Sequence, residues 1–461
     1  MVLAPSHKGV MLRRRVRSTL LAVVLVMALP GLATASGVFV EPDVVVLQTQ
    51  VGTSSPDDSF GWAGAELGDL DGDGVGDYAV TAITDPDGGF FAGKAYVYSG
   101  AHGSVLNTIN GLEGELMGWS IDTAGDVDAD GTPDYVIGAP GFGPATPTAL
   151  GRALVLSGSD HTVIHEFTPD GRTRMGTAVA GAGDVDDDGH ADVIVGSENA
   201  SSTRELAGRV TLYSGATGDD LWTTEGKHAW DLLGSAADDV GDVNGDGILD
   251  VVVGARGVSG HNGRAAGLSG RGVAYVLSGL DGDIIHTLRP TGDTVQFARF
   301  FARGGEDYDG DGVGDIFVAD YAAGRGGKKD PIDDRGRDTV PPVNATGSAH
   351  VYSGATGKIL LKIDGSMTGE GLGPGRPIDD VDGDGTPDLL IAAWTSSEGA
   401  PAAGLTRVHS GEDGSILRTI TSATAGENLG IDALGIGDVD EDGNGDYLLT
   451  GFGIAYVLAG P

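Results

Sequence analysis

The chain contains no cysteine, so no disulfide can staple it even in a compartment that would permit one. Stability must come from packing, from closure of the chain on itself, and from bound metal. Basic residues are scarce, 28 Lys and Arg against 67 Asp and Glu. A surface of that sign repels phosphate backbones, which excludes nucleic acid as a partner. Helical periodicity is absent throughout the repeated part of the chain. The apolar run Thr19–Leu29, 11 residues, is far too short to span a bilayer, so no transmembrane anchor is expected.

That run belongs to a leader. Lys8, Arg13, Arg14, Arg15 and Arg17 precede it, and the small-x-small site Ala33-Thr34-Ala35 follows. Residues 1–36 are read as a secretory signal peptide and 37–461 as the mature, exported chain, secreted or held in the cell envelope. No Cys follows the apolar run, so no lipid anchor is expected. Removing the leader leaves 23 basic against 67 acidic residues, a net charge of −44. Most of these acids sit in periodic clusters between apolar runs rather than in a solvated tail. The 81 glycines are periodic too and fall at turns, which points to tight hairpins.

The pattern Asp-x-Asp/Asn-x-Asp-Gly-x-x-Asp occurs seven times, beginning at Asp69, Asp126, Asp184, Asp242, Asp307, Asp380 and Asp438. The spacings are 57, 58, 58, 65, 73 and 58 residues, the mark of a repeat architecture. In the second unit Met117–Ala124 reads as a strand, Gly125–Asp134 as an acidic turn and Tyr135–Gly138 as a second strand. Arg152–Leu156 and Thr162–Phe167 supply two more strands. The third-to-fourth connection has its own signature, YSGAHG, YSGATG, LSGLDG, YSGATG and HSGEDG, where a left-handed glycine closes a short hairpin. Four antiparallel strands in about 60 residues make a propeller blade. The fold class is therefore all-β, a seven-bladed β-propeller. Repeats begin near residues 60, 117, 175, 233, 297, 372 and 429, and the last lacks a fourth strand. The run 43–50, DVVVLQTQ, is expected to supply it and close the ring.

The acidic turns predict calcium, which takes six to eight oxygen ligands in flexible geometry. Positions 1, 3, 5 and 9 offer side-chain oxygens, position 7 a backbone carbonyl, and the Gly at position 6 permits the bend. The sets are Asp69, Asp71, Asp73, Val75 and Asp77; Asp126, Asp128, Asp130, Thr132 and Asp134; Asp184, Asp186, Asp188, His190 and Asp192. They continue with Asp242, Asn244, Asp246, Ile248 and Asp250; Asp307, Asp309, Asp311, Val313 and Asp315. The last are Asp380, Asp382, Asp384, Thr386 and Asp388, and Asp438, Asp440, Asp442, Asn444 and Asp446. Up to seven Ca2+ are expected, one per blade. At about 5 Å and an effective dielectric near 20, each carboxylate pair costs roughly 3 kcal/mol, so a metal-free turn would be strained or would take up protons. Magnesium prefers near-ideal octahedra and keeps its waters, which makes it the weaker candidate. A helix–loop–helix calcium loop is excluded, because a strand follows position 9 directly, as in Val193-Ile194-Val195.

These residues resemble the FG-GAP repeats of the integrin α-chain N-terminal propeller. Phe60-Gly61 supplies the FG and Gly138-Ala139-Pro140 the GAP. Looser counterparts of FG are Met117-Gly118, Met175-Gly176, Leu233-Gly234, Leu372-Gly373 and Leu429-Gly430, with Gly196-Ser197 and Gly254-Ala255 in place of GAP. Blade five departs most, carrying Phe297-Ala298. The resemblance implies calcium loops on one face of a monomeric propeller and ligand binding on the other, in a secreted adhesion or interaction module. Its partner would be an extracellular protein or glycan of unknown identity. No transmembrane helix, leg domains or sorting tail is expected after the propeller.

The second-to-third loops should project from the face away from the acidic turns. The longest, residues 320–347, holds Arg325, Lys328, Lys329, Arg335 and Arg337, and with the loop Arg256–Arg271 it forms the expected recognition surface. The competing reading is a propeller enzyme, a lyase or hydrolase acting on polysaccharide or phosphodiester substrates. Against it, His102, His161, His165 and His190 fall in hairpin turns, a fourth strand and an acidic turn. No nucleophile or phosphate-loop motif is present.

Overall fold

The computed structural model describes residues 37–52, 58–141, 150–202, 204–258, 271–324 and 345–461. Within them lie seven four-stranded antiparallel sheets, each a simple meander, and no helix. The chain is a seven-bladed β-propeller. Blade two runs Ser120–Gly125, Asp134–Ala139, Arg152–Leu156 and Val163–Phe167, close to the expected strands. First strands of neighbouring blades face one another, so they line the axis, and fourth strands form the rim. Second strands are buried along their whole length because a blade packs on each side. That is why they read as unbroken apolar runs such as Val251-Val252-Val253, while fourth strands expose Val105, Val163 and Ile416.

The first strand of blade two begins at Ser120 rather than the expected Met117. Gly118, at φ 84°, bends the chain here. Met117 instead makes a parallel bridge to Gly93 of blade one. The same bridge joins Gly151 to Met175, Gly208 to Leu233, Gly347 to Leu372 and Gly404 to Leu429. At these five seams the FG position therefore stitches a blade to the one before it.

FG and GAP meet at these seams. A Cβ on Gly138 would lie 2.1 Å from the Gly176 carbonyl oxygen, and one on Gly196 2.4 Å from that of Gly234. On Gly254 it would lie 2.0 Å from the Ala298 oxygen. The GAP glycine of one blade thus receives the FG-position carbonyl of the next. Blade five uses Ala298 at this point with φ 58°, a left-handed conformation that disfavours any side chain. Its first strand is correspondingly short, Ala302–Gly304.

The last blade contains Ala433–Gly435, Tyr447–Gly451 and Ile454–Leu458, and its fourth strand is Val46–Val51 from the other end of the chain. The closing strand sits slightly later than the expected 43–50, pairing Val46 with Leu458 and Val51 with Ile454. Upstream, the Val40 N–H donates to Thr421 O at 2.9 Å and the Ala423 N–H to Val38 O at 2.8 Å. The N-terminal segment therefore clasps blades six and seven together. Phe60, Val80, Leu434, Leu448 and Val457 pack in one core across the closing seam. The leader, 1–36, lies outside the described residues.

Candidate metal turns and the opposite end of the axis

Each acidic turn joins a first strand to a second strand, so all of them lie at one end of the propeller. Two left-handed residues make the bend. Position 6 is Gly in every copy, with φ between 87° and 97°. Position 4 is also left-handed: Gly72, Gly245, Gly310 and Gly383 in four copies, but Ala129, Asp187 and Glu441 at φ near 60° in the others.

That backbone path points successive N–H groups at the carboxylates. Asp69 Oδ1 accepts from the N–H groups of Gly72 at 2.7 Å and Asp73 at 3.1 Å, while its Oδ2 accepts from Gly74 at 2.9 Å. Asp242, Asp307 and Asp380 repeat all three contacts. The position-5 carboxylate accepts the N–H of position 7 in every copy, from Val75, Thr132, His190, Ile248, Val313, Thr386 and Asn444. The turn therefore offsets part of its own repulsion with backbone dipoles, more than the sequence analysis allowed.

The carboxylates nevertheless converge. One oxygen from each of Asp69, Asp71 and Asp77 lies within 4.8 Å of the others, and so for Asp126, Asp128 and Asp134, Asp184, Asp186 and Asp192, and Asp380, Asp382 and Asp388. In blade five the group is Asp307, Asp309 and Asp311. Positions 1, 3 and 9 are thus brought together in these four turns, while in blade two the position-5 Asp130 accepts from Ser159 Oγ at 2.6 Å. The His190 ring pairs through Nδ1 with Val127 O at 2.7 Å rather than facing the other acids. Burial pushes the carboxyls of Asp134, Asp192 and Asp315 up to about 6 against their hydrogen bonds. Asp186 and Asp440 are raised by desolvation and by the carboxylates beside them. An all-oxygen donor set with this uncompensated charge fits a hard divalent cation.

Position 9 has a second role that the sequence analysis missed. Asp77, Asp134, Asp192, Asp250, Asp315, Asp388 and Asp446 are fully buried. Through Oδ2 each accepts the N–H of position 2, as Asp134 does from Val127 at 2.7 Å. Through Oδ1 each accepts the N–H of a glycine just after the third strand: Gly100, Gly158, Gly215, Gly279, Gly354 and Gly411 in third-to-fourth connections, and Gly460 after the last third strand. A Cβ on any of these glycines would come within 1.8–2.2 Å of the position-8 carbonyl oxygen. The first Gly of the SG signature is thus dictated by the acidic turn, while the last, at Gly103, Gly218, Gly282, Gly357 and Gly414, is the left-handed hairpin residue that was expected.

The other end of the axis is not repetitive. Trp62 of blade one lies 4.9 Å from Trp119 of blade two and 6.1 Å from Phe300 of blade five, centroid to centroid. Rings from such distant blades meet only on the axis. Below them, Arg303 approaches Asp122 at 3.5 Å and Asp238 at 4.0 Å, and Arg376 approaches Asp432 at 3.9 Å. A plain, small-residue channel would favour a binding module, and a central pocket of clustered basic and His residues an enzyme. The axis is not a plain channel, and arginines gather there without the described histidines. His350 and His409 lie in third strands, and His165 and His286 in fourth strands. Residues 325–344 and 259–270, the bulk of the expected recognition loops including Arg325, Lys328, Lys329, Arg335 and Arg337, lie outside the described residues.

A family model described as FG-GAP repeat matches residues 117–156 and 175–213, which are blades two and three from the FG position to the end of the third strand. The chain is similar to integrin alpha-PS2 of Drosophila melanogaster, 28% identical over 311 residues, covering 64% of this chain and 17% of that protein. It is similar to integrin alpha-5 of Xenopus laevis, 28% identical over 235 residues, 46% of this chain and 21% of that one. Phosphatidylinositol-glycan-specific phospholipase D of Bos taurus is 28% identical over 217 residues, 42% of this chain and 24% of that protein. The chain spans no more than a quarter of the length of these three relatives. It carries FG-GAP repeats, and its propeller is integrin-α-like.

Proposed function

We propose that this FG-GAP propeller is an exported interaction module, stabilised by calcium in its acidic turns and gripping an extracellular protein or glycan at the other end of the axis. The convergence of carboxylate oxygens within 4.8 Å in successive turns carries the calcium part of the reading. The ion would be held by side-chain oxygens of positions 1, 3, 5 and 9 and the carbonyl of position 7. Positions 1, 3 and 9 form the core of the set, since they already converge. Calcium would neutralise acids that the fold forces together, and so couple turn geometry to ring closure. Export rests on the leader pattern in residues 1–36, and adhesion on the likeness to integrin α chains.

The phospholipase similarity and the arginines gathered at the axis are the observations behind an enzymatic reading. The described histidines, dispersed among outer strands and turns, supply no site for it. The binding reading is therefore preferred.

Elemental analysis of the purified chain should find several Ca2+ per molecule. Because each site at 100 times its Kd adds about 2.7 kcal/mol, EGTA should lower the Tm by on the order of 10 °C or more. A negligible calcium count with an unchanged melt overturns the calcium reading.

A further inference from the structure

At the end of the axis away from the acidic turns, several charged and aromatic side chains gather from separate blades. Glu198, just after the second strand of blade three, is buried. It accepts from Arg256 Nε at 2.8 Å and from Arg174 Nη1 at 2.5 Å. Arg299 of blade five is electrostatically coupled to all three, and its Nη1 donates to Gln296 Oε1 at 2.6 Å and the Tyr321 hydroxyl at 3.0 Å. Arg174 lies over the Trp119 ring at 5.1 Å and Arg299 over Phe300 at 4.6 Å. Trp62, Trp119, Phe300 and Tyr321 follow one another at 4.9, 6.2 and 6.3 Å between centroids. Trp62, Trp119, Phe300 and Arg174 keep part of their surface in solvent, whereas Arg256, Arg299 and Glu198 do not.

Ring closure does not require this arrangement. Leaving Arg299 aside, two guanidiniums still share one carboxylate, so the spot is positive within a chain of net charge −39. Well-packed apolar residues would plug the axis without desolvating charge. Among the described residues Glu198 is the one hydrogen-bond partner of the Arg174 guanidinium. A planar fork held against an indole, with donors to spare, suits a second carboxylate in bidentate geometry. Burial, and the neighbouring Arg256, push Arg174 below its ordinary range, which an incoming anion would relieve.

We propose that this arc binds an acidic sugar residue, its carboxylate on Arg174 and its ring face on Trp119 and Trp62. Two partly exposed indoles, inclined 40° to each other, offer apolar ring surface beside the cation. The C–H groups of a pyranose pack against exposed indole surface of this kind, which an extended acidic peptide would leave largely bare. The proposal rests on the interaction-module reading and not on calcium.

The calcium-loaded full chain is titrated by calorimetry with three probes. They are a hexasaccharide alternating glucuronate and N-acetylglucosamine, its carboxyl-reduced counterpart, and hexaglutamate. The acidic hexasaccharide is expected to bind, more weakly as salt rises, and its reduced counterpart about tenfold or more weaker. Arg174→Gln and Trp119→Ala should each weaken binding by about tenfold or more while keeping the parent Tm and calcium count. If either variant melts early, Arg174→Lys, which keeps the charge but loses the fork, should still weaken binding several-fold. The proposal is overturned if the acidic sugar does not bind, if the reduced sugar binds equally, if Arg174→Gln binds like the parent, or if hexaglutamate binds more tightly. Calcium content and the EGTA melt report on the metal reading separately, so either can fail alone.

Discussion

The two ends of the propeller axis are made by the same strands, yet one is seven near-identical turns and the other a patchwork. At the acidic end every copy keeps its position-1, position-5, position-6 and position-9 residues, with the position-9 Asp bonded identically throughout. At the other end the residue after the FG position is Trp62, Trp119, Thr177, Ser235, Arg299, Pro374 and Ile431 in turn. A job done by each blade for itself repeats with the blade. A job done once, where blades converge, draws one residue from each and shows no period. The acidic end reads as architecture and, on the proposed function, as metal holding; the other end, on the same proposal, is where this chain becomes specific.

The sharpest way to break that contrast is to remove one buried position-9 acid. Asp134→Ala strips partners from the N–H groups of Val127, Asp128 and Gly158. It should cost about 3–5 kcal/mol in EGTA by denaturant unfolding. Asp128→Asn in the same turn, at an exposed position, should lower the calcium count while leaving metal-free stability within about 1 kcal/mol. Equal losses in EGTA would mean that position 9 is a ligand and nothing more.

The FG seam makes a pH prediction. His350 of blade five is buried against Phe297 and Tyr352, and burial pushes its pKa down to about 4. The fold favours neutral imidazole, so this contribution is complete above the ordinary value near 6.5 and is lost as pH falls toward 4. The loss should reach about 3 kcal/mol. His350→Phe should flatten the stability profile between pH 6.5 and 4 relative to the parent, and parallel profiles would refute the assignment.

A smaller effect is expected at a GAP glycine. Gly254→Ala drives a methyl into the Ala298 carbonyl, 2.0 Å from the ideal Cβ, and should cost about 1–3 kcal/mol. The smallest effect has the opposite sign. Ala129→Gly relieves a left-handed alanine at φ 59° and should add up to about 1 kcal/mol, set against the glycine's greater unfolded-state entropy. A destabilised Ala129→Gly would show that the turn is not strained there.

Much of this molecule is written locally. The seven-fold period, the strand order within a blade and the left-handed hairpin glycines were legible because each depends on residues a few positions apart. The borrowed fourth strand was legible too, by subtraction, because unit seven ends one strand short. The role of Gly100 and Gly158 was hidden, since each answers to an Asp 23 or 24 positions earlier. So was that of the GAP glycines, which meet a carbonyl of the next blade. In each case side chain was sacrificed to a non-local close approach, and composition records the sacrifice without its reason.

Propeller class, blade number and the clustering of acids into oxygen-rich bends follow from the chain's own order, since short-range sterics and periodic burial are enough to specify them. Which carboxylates meet and how position 9 ties two turns together follow only from folding each blade's strands against one another, and why Trp62, Trp119, Arg174 and Phe300 come to share one spot follows only from closing the ring. Closure brings together residues far apart in the chain, such as Trp62 and Phe300, 238 positions apart, and no local rule orders them.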